Sequence, residues 1–459
     1  MPCSLPPGAA WAGPWGTVRA GNRVALVPER PGLLPLTEQT FDRVAAALPE
    51  WARPSAAAGF EAFTTLAMPD PRQEEWRYVE VDVDLDALGL PEEPGTPLPP
   101  DAAIAAALGD VAGRAVNVDG HTVAVAAPDG VRFTSLAAAM NADGEALRGA
   151  FRSGPGPRLD RFAAAHHAFA TDGVFLHLAR GQRLTEPLLV EFQATRAGSL
   201  ALPRLTVLAE DGAEAVVVLH YRSPDGLAVV AVPQVEVAAG LNAHVSLTVV
   251  QEWGDATQAY AHQTMTAARD AALVLAEAGL GGKSARLHLR LDLAGAGAGA
   301  RVLGAYFGHG SQTLDYRYYV GHRAPHTTSN MYLKGAVADA ARSVFTGLIR
   351  IEPEGQDSDA MQTNRNLVLS EGAEAHSVPN LEILANEVRC GHGSTVSPLD
   401  PEQRYYLMSR GLETARADRL QVKGFFEDVL ARFPLAGLEP PLRASLMARY
   451  EGLAREAGR

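Results

Sequence analysis

Residues 207–215 read Val-Leu-Ala-Glu-Asp-Gly-Ala-Glu-Ala, and this stretch decides the fold because it recurs. Residues 367–375 read Leu-Val-Leu-Ser-Glu-Gly-Ala-Glu-Ala and match it closely, and residues 237–243 are a weaker third copy. Each copy has the pattern of a strand end, a corner of small and polar residues, and a new strand. Recurring corners of this kind are typical of stacked coils.

The sequence around these corners has the texture of a β-structure from about Gly173 to Val396. Short apolar runs alternate with turn residues, and few helical periods occur. Apolar residues two positions apart mark the strands, for example Leu205 and Val207, Val216 and Val218, Val230 and Val232, and Val245, Leu247 and Val249. The pattern favours a parallel β-helix over residues 173–399. A large β-sandwich is the alternative, because the copies of the corner are irregularly spaced.

The region before the β-structure, residues 1–172, has a helical and mixed pattern. Thr37 is suited to cap a helix over residues 38–48, and a second helix is expected over residues 56–66. Apolar residues alternate with acidic ones over residues 79–85, which predicts a half-buried strand.

The region after the β-structure, residues 400–459, is predicted to be a helical domain. Asp400 is suited as an N-cap, with Pro401 in the first turn and Gly411 as the stop signal. Helical spacing resumes further on, as in Phe426 and Val429. Such a domain can cover an open end of a solenoid or dock another protein, and composition does not separate the two roles.

Composition excludes several functional classes. Of 459 residues, 47% are hydrophobic and 20% charged, which is typical of globular domains. The net charge of −13 disfavours nucleic acid and anionic membranes as partners. The sequence has no apolar run of about 20 residues and no signal-peptide pattern at its start. A cytoplasmic protein without membrane or nucleic-acid partners is therefore expected.

Only two cysteines occur, Cys3 and Cys390, which excludes a disulfide scaffold and an all-thiolate metal site within one chain. Cys390 lies two positions before His392, so both side chains share a face if the segment is extended. Thiolate and imidazole suit zinc, copper or iron, but a tetrahedral site needs four ligands. The others would come from elsewhere in the fold or from a partner chain. A nucleophile–base pair and a purely structural pair are the alternatives.

A near match to a nucleotide-binding loop occurs at residues 277–284, Glu-Ala-Gly-Leu-Gly-Gly-Lys-Ser. Glu277 stands where the loop needs its first glycine, and its charge opposes phosphate binding. The residues that follow alternate as in a strand, whereas the loop needs a helix. A glycine-rich turn between strands is the better interpretation.

Several motifs together resemble the SufB/SufD family. They are Glu75–Tyr78, Phe169–Val174, Pro325–Asn330, Ala341–Gly347, Gln362–Leu367 and Tyr406–Gly411. Two further motifs, Leu381–Ile383 and Cys390-Gly391-His392-Gly393, look more particularly like the SufD branch, although Gly391 replaces the usual serine. Their order and spacing agree with the family, most strongly over residues 300–430.

The resemblance implies a right-handed parallel β-helix between helical ends, in a non-catalytic scaffold subunit of the cytoplasmic iron–sulfur cluster assembly machinery. Such a subunit would pair with SufB through the β-helices, and its C-terminal helices would bind the ATPase SufC. A nascent iron–sulfur cluster would form transiently at the SufB–SufD interface, shared with SufB and not held permanently by this chain. His392, with Cys390, would be a ligand from this side. The isolated chain could form a homodimer.

Two other assignments stay open at this point. A SufB-type paralogue would carry a core cysteine near Leu369–Gly372, and none is present there. A β-helix enzyme acting on polysaccharide would need paired carboxylates in a groove.

Overall fold

The chain is mainly β-structure, as predicted. A computed structural model describes residues 31–142, 144, 147–149 and 154–456, so Cys3 lies outside the described residues. About 40% of the chain is strand and 24% helix, and the strands form a solenoid of about eight turns with helices on both sides of it in sequence.

Helices precede and follow the solenoid along the chain. Their bounds are α1 (Glu38–Ala47), α2 (Arg53–Thr65), α3 (Ala102–Leu108), α4 (Leu136–Ala142), α5 (Arg161–Phe169), α6 (Pro401–Ser409), α7 (Thr414–Leu430) and α8 (Glu439–Glu456). The predicted caps are present: the Thr37 side chain accepts from the backbone N–H of Thr40, and Asp400 accepts from those of Glu402 and Gln403. Every helix among the described residues is too short or too polar to cross a bilayer.

Most of the strands lie in two large sheets, and the first two strands of the chain form a separate antiparallel pair. Their bounds are β1 (Leu33–Pro35), β2 (Gly89–Pro91), β3 (Gly113–Val118), β4 (His121–Ala126), β5 (Arg132–Ser135), β6 (Val174–Leu178), β7 (Leu188–Gln193), β8 (Leu200–Ala201), β9 (Arg204–Ala209), β10 (Glu214–Arg222), β11 (Val230–Ala231), β12 (Gln234–Ala239), β13 (His244–Glu252), β14 (Gln258–Ala267), β15 (Ala272–Gly279), β16 (Ser284–Leu293), β17 (Gly299–Gly308), β18 (Thr313–His322), β19 (Thr328–Val337), β20 (Arg342–Ile351), β21 (Asp359–Val368), β22 (Glu374–Ile383) and β23 (Arg389–Ser397).

Sheet I has the order β4-β3-β7-β10-β13-β15-β17-β19-β21-β23, and sheet II has the order β5-β6-β9-β12-β14-β16-β18-β20-β22. From β6 and β7 onward each strand pairs in parallel with the strand one turn later. Val207, for example, pairs with Val237, so one turn takes about 30 residues. This parallel stacking is that of a β-helix and not of a sandwich, whose sheets are antiparallel.

The repeated corner now has a structural explanation. Residues 207–215 and 237–243 lie one turn apart at the same corner, where the chain passes from sheet II to sheet I. Residues 367–375 lie at the opposite corner, which accounts for the irregular spacing. At the first corner Gly212 and Asn242 both have positive φ (69° and 54°), a conformation that glycine and asparagine tolerate best.

The solenoid encloses a continuous core between its sheets, which we call the lumen. Inward side chains form rows along the axis, one residue per turn. One such row is Leu291, Val320, Ile349 and Leu381 on successive strands of sheet II. The first three are fully buried. Burial of such rows, at about 25 cal/mol per Å² of apolar surface, stabilises the stack.

The regions outside the solenoid share its sheets. Strands β3, β4 and β5, which precede residue 173, extend the two sheets at their first end. The division of the chain at residues 173 and 399 stays a prediction. The predicted strand at residues 79–85 is wrong, because that segment forms no strand and ends in a short 3₁₀-helix. It crosses the outside of sheet II with Val79 buried, and the Gln258 side chain donates to the Asp82 carbonyl (3.0 Å).

The C-terminal helices pack along the side of the solenoid. An apolar face of α7 and α8, including Val422, Phe426 and Leu446, packs against Phe307 and its neighbours on the outer face of sheet I. A charged contact fixes this packing, since the Nζ of Lys334 on β19 lies 2.7 Å from an Asp428 carboxylate oxygen on α7. The last turn of the solenoid, β22 and β23, contributes no buried side chain.

Candidate functional site

Cys390 and His392 lie on β23, the end strand of sheet I. Their in-register partners on β21 are Ala360 and Gln362. Because β23 pairs in its sheet with β21, its outer backbone edge lies at the open end of the solenoid. The same holds for β22, the end strand of sheet II.

Both side chains lie on the lumen side of this last turn. Ala360 and Gln362 beneath them are inward residues, each only 1% exposed. The next inward residue, Ser394, confirms the direction, because its hydroxyl contacts that of Ser377 on the facing strand β22 (2.7 Å). The predicted arrangement on one face is therefore confirmed, and that face is the floor of an open well.

The two side chains differ in their surroundings. Cys390 is half-buried and packs against the core of the lumen. Burial raises the pKa of its thiol, and the charge of Asp359 raises it further, so the sulfur is protonated at neutral pH. His392 is exposed. No group of three histidine, cysteine or carboxylate side chains able to hold a metal occurs in the described part of the chain. The ligand role of both residues stays a prediction.

The rim of the well is apolar. Ile383 and Val396 on the last turn, and Leu384 at the corner after β22, are 42–52% exposed. Large exposed side chains that cluster around a polar centre are typical of interaction surfaces. Sequence reasoning missed this rim, because nothing local distinguishes the last turn of a solenoid from its middle turns.

A second exposed surface lies on α6. This helix contains no buried residue, and Tyr405 and Tyr406 are 75% and 57% exposed. The Arg410 guanidinium lies over the ring of Tyr406, 5.2 Å from its centre. The predicted docking helices therefore divide into α6, which is uncovered, and α7 and α8, which are packed on the solenoid.

The near match to a nucleotide-binding loop is a corner of the solenoid. Gly279 ends β15, Gly282 has a φ of 90°, and Ser284 begins β16. No helix follows the loop, as predicted. Glu277 faces the lumen, where burial raises the pKa of its carboxyl to about 8. The period-two run of Leu273, Leu275 and Glu277 was the sequence signal for this inward carboxyl.

Comparison with known proteins agrees with the geometry. Residues 192–425 match the family model described as "SUF system FeS cluster assembly, SufBD core domain". An iron–sulfur cluster assembly SufBD family protein of Mycobacterium tuberculosis is 34% identical over 304 residues, which cover 64% of this chain and 75% of that protein. The iron–sulfur cluster assembly protein SufD of Escherichia coli is 26% identical over 408 residues, covering 88% of this chain and 94% of that protein.

SufD of Bacillus subtilis is also similar, with 26% identity over 319 residues that cover 68% of this chain and 72% of that protein. Residues 192–425, which the family model matches, include the solenoid turns that carry the candidate site. On the family model and on these relatives, the chain belongs to the SufBD family of iron–sulfur cluster assembly proteins.

Proposed function

We propose that this chain is a SufD-type scaffold subunit that pairs with SufB through the last turn of its solenoid. One observation carries the proposal: the well of Cys390 and His392 lies between two uncovered strand edges and inside an apolar rim. Uncovered strand edges pair readily with another chain. The assembly is expected in the cytoplasm, where free thiols persist.

The nascent iron–sulfur cluster is the cargo of this interface. Cys390 and His392 supply two ligands from one side, and SufB supplies the others when it covers the well. Imidazole at an exposed strand edge suits a cluster that is handed on, since four thiolates would hold it tightly.

SufC docks on the C-terminal helices in this proposal, and ATP hydrolysis occurs on SufC and not on this chain. Helix α6 supports the assignment because Tyr405 and Tyr406 present aromatic surface that no part of the described chain covers. Tyrosine is enriched among residues that carry binding energy at interfaces.

Co-expression with SufB and SufC tests the pairing. Ile383→Asp with Val396→Asp places charge in the rim and is expected to remove SufB from the purified complex. Val123→Asp with Val125→Asp is the matched control, because these valines are 39% and 36% exposed on β4 at the other end of sheet I. Loss of SufB from both double variants, or from neither, would contradict pairing through the last turn.

Substitution within the well tests the cargo site. His392→Ala is expected to lower anaerobic cluster formation by the assembled complex, while Thr395→Ala on the same strand leaves it unchanged. A normal cluster yield from an intact His392→Ala complex would rule out the ligand role.

Two further measurements test SufC docking and the possible homodimer. Tyr405→Ala with Tyr406→Ala is expected to release SufC and retain SufB. Light scattering of the isolated chain shows whether the same last turn forms a homodimer, which Ile383→Asp with Val396→Asp would dissociate. A SufB-type paralogue would instead pair with an authentic SufD.

A further inference from the structure

The lumen contains polar side chains in the turns that lead to the well. Glu277 on β15 is 5% exposed, and Gln263 on β14, in the facing strand of the same turn, is 1% exposed. The solenoid core is mainly aliphatic and aromatic, and burying polar groups in it without hydrogen bonds is costly. Glu277 takes no part in the proposed scaffold function.

Two tyrosines extend from the turn of Glu277 toward the last turn. Tyr316 reaches back from β18, and its hydroxyl occupies the space that a side chain at Gly279 would take. Tyr306 reaches forward from β17 and fills the space beside Gly335. Their rings stack with centres 4.6 Å apart. The absence of side chains at Gly279 and Gly335 therefore leaves space for the two phenol groups along the solenoid axis.

Hydrogen bonds connect these two tyrosines to the turn that lies directly below the well. The Tyr306 hydroxyl donates to Asn366 Oδ1 (2.6 Å) and accepts from Asn364 Nδ2 (3.1 Å). Asn364 lies directly beneath Ser394 in the ladder, and the neighbouring inward residue Gln362 lies beneath His392. Polar side chains thus connect the tyrosine pair to the floor of the well.

Several buried polar atoms in this series have no hydrogen-bond partner among the described residues. They are Glu277 Oε2, both side-chain polar atoms of Gln263, the Tyr318 hydroxyl and Gln362 Oε1. Buried polar atoms are almost always satisfied by protein or by water. Their clustering in one lumen points to internal water along the axis.

We propose that the lumen is a hydrated proton path that joins Glu277 to the well of the last turn. Each hydroxyl or water along it accepts one proton and releases one, so the Glu277 carboxylic acid becomes a carboxylate when one proton reaches the well. The reverse transfer restores the acid. The titratable groups that face Glu277 are Tyr221, Tyr316 and Tyr318, and burial followed by its charge raises the pKa of all three.

A protonated Glu277 fits this path, since its raised pKa of about 8 is close to that of an ordinary thiol. A proton therefore moves between the carboxyl and a sulfur species at little cost. Its use in cluster chemistry rests on the proposed function. The path itself does not, because proton exchange along it can be measured in the isolated chain.

Infrared spectroscopy of the full chain at neutral pH tests the path. The carbonyl stretch of a protonated carboxyl is expected in the wild type and absent from Glu277→Gln. After transfer to D₂O, this band is expected to shift much faster than the slowest core amides exchange. Tyr306→Phe removes one hydroxyl of the path and is expected to slow the shift by about tenfold, the equivalent of one hydrogen bond.

Tyr221→Phe is the matched control, because Tyr221 is equally buried in the lumen but lies on β10, on the side of Glu277 away from the well. It is expected to leave the rate unchanged. A missing carboxyl band, a band that shifts only as fast as the core amides, or equal rates in the two phenylalanine variants would each overturn the proposal.

Discussion

The middle and last turns of the solenoid have the same strand architecture, but they differ in how many of their side chains are buried. Strands β20 and β22 are both ten residues long and pair in continuous register. Six of the ten residues of β20 are buried, whereas none of β22 is. Regular edge strands are usually blunted by charge, proline or a bulge. In the last turn β22 carries Pro379, Glu374 and Glu382, whereas β23 keeps a regular ladder of mainly small and polar residues.

This difference shows that the last turn contributes less buried surface to the stability of the stack than the middle turns do. The middle turns bury rows of apolar side chains and so stabilise the fold. The last turn carries Cys390-Gly391-His392, of which His392 is exposed and Cys390 half-buried. The residues that stabilise the fold and those of the proposed interface therefore lie in different turns, and substitutions at equivalent positions of one inward row can measure this difference.

The largest expected effect comes from one inward row. Leu291 and Leu381 lie three turns apart in the same row, fully buried and half-buried respectively. Leu291→Ala is expected to lower the free energy of unfolding by about 4 kcal/mol through lost burial and a cavity. Leu381→Ala is expected to cost under about 1.5 kcal/mol, since much of its side chain already contacts solvent.

Urea unfolding of the isolated chain measures both values. When SufB is bound, the cost of Leu381→Ala is expected to rise toward that of Leu291→Ala, because the partner covers the row. Equal costs in the isolated chain would show that the last turn is already part of the stable core.

Much of this architecture could be predicted from the sequence, because its signals are local. Period-two runs identified strands, the recurrent Asp211-Gly212 type of corner identified stacked coils, and Asp400 identified a helix start. Pairing is not local. Residues 79–85 have the alternation of a strand and bury Val79, but they cross the outside of sheet II without a ladder partner.

The candidate site was only half predictable for the same reason. Spacing placed Cys390 and His392 on one face, yet only the register with Ala360 and Gln362 shows that this face is the lumen. Glu277 is the wrong residue for a nucleotide-binding loop, and its period-two spacing with Leu273 and Leu275 indicates only its inward direction. Its burial depends on packing against the facing sheet, which no short motif encodes.

Glu277 in a middle turn and Glu374 in the last turn are expected to affect stability in opposite ways as pH changes. The folded chain raises the pKa of Glu277 from 4.5 to about 8, so the folded state holds a proton that the unfolded state has lost. The stability of the wild type relative to Glu277→Gln is therefore expected to fall as pH rises from about 4.5 to 8. The loss is on the order of 3 kcal/mol, with internal water reducing the cost of ionisation.

Glu374 on β22 provides the opposite case. Hydrogen bonding from His376, then the charge of Arg342, lowers its pKa, so any stability it adds is lost as pH falls. Urea midpoints of the wild type, Glu277→Gln and Glu374→Gln, measured both below about pH 4.5 and from there to about pH 8, distinguish the two. A pH slope that persists in Glu277→Gln would assign it to another group.

The smallest expected effect concerns the well itself. His392→Ala in the isolated chain is expected to change the free energy of unfolding by less than about 0.5 kcal/mol, because the side chain is exposed and no hydrogen bond involving it is present among the described residues. Thr395→Ala is the control on the same strand. Thermal or urea unfolding measures both. A loss above about 1 kcal/mol confined to His392→Ala would make this histidine structural, and a lower cluster yield in that variant would then no longer indicate a ligand.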